Sequence, residues 1–139
     1  MNRLIRVGGT LALALAINGS ASAAPPTLKS VDAVNRHPSA TFSAPKAASA
    51  TMYVATKPDR ATDGAFVTQN IVTTEQLTSS EIHSGSWASN TQVHPGTYYV
   101  MLSASPDFHA CYVYGRSGQY RPSCAAGYSN VVSLTVPPG

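Results

Sequence analysis

From Tyr98 onward the chain alternates strictly, Tyr98, Val100, Leu102 and Ala104 falling on one side of an extended segment and Tyr99, Met101 and Ser103 on the other. A Pro95-Gly96 turn feeds this strand. The same period of two recurs in Ala50 to Thr56, where Met52 and Val54 share one face and Thr51, Tyr53 and Ala55 the other. Tyr128 to Val136 is β-branched and alternating, and stops at Pro137-Pro138. Further strands are expected at Leu28 to Val34, at Ser39 to Ser43 with Ala40 and Phe42 facing the core, at Phe66 to Val72, and less regularly within Glu75 to His83. Pro45 ends the second of these, and Lys57 to Gly64 is a turn-rich connection closing on Asp-Gly. No helical period appears after residue 24. About seven short strands with regular turn signals predict an all-β sandwich of two antiparallel sheets.

The first residues differ in kind. Met1 to Arg6 carries two positive charges and no acid, and Val7 to Ile17 is mostly Leu, Ala, Gly and Ile. That run is too short to span a bilayer and leads to Ala21-Ser22-Ala23, a small-x-small cleavage pattern. Residues 1–23 are therefore expected to be a signal peptide and residues 24–139 one exported domain, secreted or held in the periplasm or cell envelope. No membrane-spanning segment is expected after cleavage.

Charge adds little. Removing Arg3 and Arg6 leaves seven basic residues against six acidic ones, scattered along the chain. Nothing here would follow a phosphate backbone, so no nucleic-acid partner is expected. Cys111 and Cys124 are the two cysteines, and in an oxidising compartment they are expected to form one disulfide. Closing such a loop stabilises by about 3 kcal/mol in the chain-entropy picture.

The segment Pro95-Gly96-Thr97 followed by Tyr98-x-Val100-x-Leu102-x-Ala104, and later Tyr128-Ser129-Asn130-Val131-Val132-Ser133-Leu134-Thr135-Val136, resembles the F and G strands of fibronectin type III domains, members of the immunoglobulin-like sandwich class. The resemblance implies that Tyr98 locks the corner before strand F through its hydroxyl, with Tyr99 the alternative. It places Phe42 where the family has a second-strand tryptophan. It also implies a non-catalytic module for binding or spacing, of an exported bacterial type. The single tryptophan, Trp87, is expected to plug the core, with a surface platform as the alternative.

Catalytic chemistry is not legible. No Gly-x-Ser-x-Gly turn occurs, and His83, Ser84, Ser86 and Glu81 are neighbours in sequence without the pattern of a triad. The six carboxylates fall largely in turns, and His37, His83, His94 and His109 are dispersed without metal-ligand spacing. No metal, cofactor or phosphate cradle is expected.

One segment stands out for function. Between the F-like and G-like strands, Ser105 to Gly127 carries Phe108, Tyr112, Tyr114, Arg116, Tyr120 and Arg121 among Ser, Gly and Pro. Tyrosine and arginine in such a setting make adaptable contact surfaces, and a connection of this length is uncommon unless functional or stapled. These six residues are the expected binding site, with an extracytoplasmic protein or a cell-wall glycan as the expected partner; the structural alternative is that the aromatics only cover the end of the sandwich and the disulfide offsets loop entropy. A small exported enzyme or inhibitor using His83, His94 or His109 is the alternative.

Overall fold

The computed structural model describes residues 24–106 and 124–138. Strand β1 (Thr27–Val34) runs into β2 (His37–Ser43) through a two-residue turn. Both turn residues, Asn35 and Arg36, have positive φ, 52° and 63°. That doubly left-handed turn matches the twist of the strands it joins. Strand β3 (Ala47–Ala55) follows, then β4 (Ile71–Gln76), a single helix α1 (Ser79–Ser84), and β5 (Ser86–Ala88). The chain closes with β6 (Gly96–Pro106), β7 (Gly127–Tyr128) and β8 (Val132–Val136).

These strands form two antiparallel sheets. One has the order β1-β2-β5; the other has β8-β6-β3-β4, with β7 lying on β6 along the same edge as β8. The expected all-β, two-sheet sandwich is therefore the fold. Core residues come from both layers: Leu28, Ala40, Phe42 and Trp87 from the first, and Met52, Val54, Val100, Leu102, Leu134 and Val136 from the second. Met52, Val54, Val100 and Leu102 are wholly buried. They occupy the inward positions set by the period of two, and each contributes about 1.5–3 kcal/mol through its removal from water.

The last strand is interrupted. Val132 faces Val100 whereas Tyr128 faces Ser103, so the register slips by one residue between β7 and β8. Ser129 bridges the slip. Its main-chain N–H donates to the Leu102 carbonyl at 2.7 Å, and its hydroxyl accepts from the Leu102 N–H at 2.9 Å, taking the place of a ladder carbonyl. The freed Ser129 carbonyl turns to accept from Arg60 at 2.6 Å.

Two expectations are corrected. Phe66 to Val72 is not a strand: Thr68–Asn70 is a turn of 3-10 helix, and the strand begins at Ile71, where pairing with Ala55 starts. Phe66 instead folds back on the sheet and is 2 % exposed. Glu75 to His83 is likewise not one strand. Glu75 and Gln76 finish β4, and Thr78 then opens α1 with a capping box, its hydroxyl accepting from the Glu81 N–H while Glu81 accepts from the Thr78 N–H. Gly85 closes the helix at φ 72°, a conformation that disfavours a side chain. One and a half turns are too few to write an apolar stripe in the sequence, which is why no helical period was visible.

Candidate binding surface

The expected contact residues Phe108, Tyr112, Tyr114, Arg116, Tyr120 and Arg121, with His109 and Cys111, lie outside the described residues. The two roots of their connection are described. Pro106 pairs with Ala47 at the end of β6. At the other root, the Cys124 carbonyl accepts from the Ala24 N–H at 3.2 Å, Ala125 N–H donates to Pro45 at 2.8 Å, and Ala126 N–H donates to Ala24 at 2.8 Å. Cys124 is 1 % exposed, and no described cysteine is free. Both roots are thus held at one pole of the sandwich. The same pole carries a cleft of about 410 Å³ between the β2-β3 turn and α1, lined by Pro45, Lys46, Ile82 and His83 among others.

Residues given structural roles from sequence sit in the sandwich. The Tyr98 ring is buried and its hydroxyl donates to the His94 carbonyl at 2.8 Å, across the turn that starts β6. Tyr99 points to the opposite face of the sheet. Phe42 is buried on β2. Trp87 is buried on β5, and its indole N–H donates to Glu75 Oε1 at 3.2 Å. The other Glu75 oxygen accepts from the Ser89 hydroxyl, and Oε1 also accepts from the Asn90 N–H. Glu75 therefore ties the two sheets together at the Trp87 end.

The histidine neighbourhoods do not assemble a reaction centre among the described residues. His83 is exposed on the last turn of α1, Glu81 is occupied by the helix cap, and the Ser84 hydroxyl donates to the Glu81 carbonyl. His94 contributes its carbonyl to Tyr98. Among the described residues, no group of three or more His, Cys, Asp or Glu side chains is placed to hold a metal ion, and no helix is long and apolar enough to cross a membrane.

The outer face of the five-stranded sheet carries a second apolar cluster that sequence reasoning missed. Ala55, Phe66 and Met101 are buried there, with Tyr53, Ile71, Tyr99, Tyr128 and Val131 half-buried around them. The segment between β3 and β4 forms a strap that makes this possible. Asp59 accepts from the Val67 N–H, Ala61 and Ala65 bond at 2.7 Å, and Arg60 pairs with Phe66 as an isolated bridge. Arg60 then reaches across to the carbonyls of Gly64 and Ser129. Gly64, at φ 94°, lets the strap approach the Tyr128 ring: a Cβ there would stand 3.3 Å from Tyr128 Cδ2. Burial first, then the neighbouring Tyr53 and Asp63, raise the Tyr128 pKa above the usual phenol value.

The register places the three tyrosines in three successive rows across the sheet. Gln76, Thr51, Ser103 and Tyr128 form one row; Thr74, Tyr53 and Met101 the next; Ile71, Ala55, Tyr99 and Ser133 the third. No position in these rows carries a charge. Among the described residues, none of the three tyrosine hydroxyls has a hydrogen-bond partner. The signal in the sequence was the pairing of Tyr99 and Met101, and of Tyr53 and Ala55, on the face opposite the core. Large apolar groups on a nominally wet face need a cover or a partner.

No protein-family model matches this chain, and no curated protein matches its sequence.

Proposed function

We propose that the chain is an exported, non-enzymatic module of the fibronectin type III-like kind, acting by binding or spacing outside the cytoplasm, with the connection between β6 and β7 as its contact loop. The family reading is supported by the bond from the Tyr98 hydroxyl to the His94 carbonyl, the corner that the resemblance implies. The fourth strand pairs with β3 rather than with the β1-β2-β5 sheet. That differs from the constant-type immunoglobulin arrangement.

The observation carrying the functional reading is the anchoring of both loop roots. Pro106 and Cys124 are fixed against Ala47, Pro45 and Ala24, so a loop rich in Tyr and Arg is mounted on a rigid pole. A rigid scaffold presenting a variable connection is the usual way a sandwich binds. The disulfide between Cys111 and Cys124 belongs to the same proposal and would restrict the loop before binding. The partner is an extracytoplasmic protein or a cell-wall glycan.

The test is capture from envelope extract with the exported protein and with Tyr112→Ala, Tyr114→Ala and Arg116→Ala combined. Loss of the captured partner supports the loop as the contact. Unchanged capture by the variant overturns that assignment, and release of a new product from any extract component overturns the non-enzymatic reading.

A further inference from the structure

We propose that the outer face of the five-stranded sheet is a second contact surface, on which Tyr53, Tyr99 and Tyr128 stack a neutral glycan chain. The inference rests on the reading of the protein as an exported binding module, and it concerns a different site from the contact loop.

Three observations carry it. The chain has seven tyrosines. Tyr98 is used by the corner, three belong to the contact loop, and the remaining three lie one to a row on this face. Tyr53 and Tyr99 are diagonal neighbours on adjacent strands, a separation of about 7–8 Å. Among the described residues, their hydroxyls and that of Tyr128 have no hydrogen-bond partner.

The character of the face selects the occupant. Two ionic side chains of the strap are engaged: Arg60 donates to the Gly64 and Ser129 carbonyls, and an Asp63 oxygen accepts from the Ala65 N–H at 3.0 Å. The three rows themselves hold no charged residue to pair with a polyanion. A protein hot spot wants a deep apolar pocket for an anchor side chain. Here Phe66 is already packed with Ala55 and Met101, and the amphipathic tyrosine rings lie half-buried around them. Ring surfaces with free hydroxyls, fringed by Thr51, Ser103 and Thr74, suit a chain of pyranose rings. Such a chain presents C–H faces to stack and hydroxyls to bond.

The experiment is an amide-shift titration of the exported protein with cellohexaose and with an N-acetylglucosamine hexamer, and with polygalacturonate as the charged counterpart. Shifts confined to the amides around Tyr53, Tyr99 and Tyr128 with a neutral oligosaccharide are expected. Tyr53→Ala and Tyr99→Ala should each weaken binding about three- to tenfold, with the emission of buried Trp87 unchanged as a check on the fold. Absence of such shifts with both neutral probes overturns the inference, as does equal binding of polygalacturonate. Loss of envelope capture in the Tyr112, Tyr114 and Arg116 variant, with no glycan response at Tyr99, removes this site and leaves the loop reading standing. A glycan response with unchanged capture does the reverse.

Discussion

The Asn130 carboxamide pairs with the main chain of Leu28 as a neighbouring strand would: its Oδ1 accepts from the Leu28 N–H at 2.9 Å and its Nδ2 donates to the Leu28 carbonyl at 3.0 Å. Leu28 belongs to one sheet, and Asn130 lies in the break between β7 and β8 on the edge of the other. One side chain thus closes the sandwich where no strand crosses between layers. Asn130→Ala leaves both Leu28 groups without these partners and should cost about 1–3 kcal/mol. Asn130→Asp keeps the acceptor alone and should fall between the two. Urea unfolding curves with unchanged slope would measure both.

Tyr98→Phe tests the corner. The ring keeps its buried contacts and only the bond to the His94 carbonyl is lost. A loss of about 0.5–1.5 kcal/mol is expected, with the fold retained. Tyr99→Phe should change stability by less, since the Tyr99 hydroxyl has no partner among the described residues. Equal effects from the two variants would remove the corner from the account of stability.

Glu75 is the shared acceptor of Trp87, Ser89 and Asn90. Glu75→Ala leaves the buried indole N–H unpaired and should destabilise by about 1–3 kcal/mol, with Trp87 emission altered in the native state. Glu75→Gln retains an acceptor and should recover part of that loss.

Tyr128 makes stability depend on alkaline pH. Its folded pKa lies above the unfolded phenol value of 10.0, mainly through burial. Between those two values the folded state holds the proton more firmly than the unfolded chain, so stability falls as pH rises. The contribution is complete below pH 10.0 and is lost as pH climbs through the folded pKa. Tyr128→Phe should flatten this part of the stability curve measured between neutral and strongly alkaline pH.

Gly85→Ala places a Cβ 2.6 Å from the Phe42 carbonyl in a left-handed conformation. The same glycine's carbonyl accepts from the Phe42 N–H at 2.9 Å, so the clash and the hydrogen bond cannot both be relieved. A loss well above the 1–2 kcal/mol of left-handed strain alone is expected by thermal unfolding.

Much of the sandwich was legible because burial on one face writes itself into every second residue. Alternation alone puts Met52 with Val54, and Val100 with Leu102, on one face of their strands, and all four are wholly buried. The assignment failed where a residue answers to something other than its own strand. Phe66 looks like the start of a strand, but it is held by a strap whose geometry depends on Arg60 and Ser129, far apart in sequence. The helix that the Thr78 and Glu81 capping box opens is too short to repeat a pattern. Of the candidate site, the long aromatic connection was visible by composition. The tyrosine rows were not, because they come from strands whose register only pairing fixes.

The strap between β3 and β4 has one more consequence. It is fastened through Arg60, Phe66 and the Asp59 to Val67 turn, not through the main core. Such a unit can open on its own, at a smaller free energy than global unfolding. The amides of Ala61, Gly64 and Val67 should then exchange with solvent deuterium well before those of Val54 and Leu102, exposing Met101 transiently while the sandwich beneath stays shut.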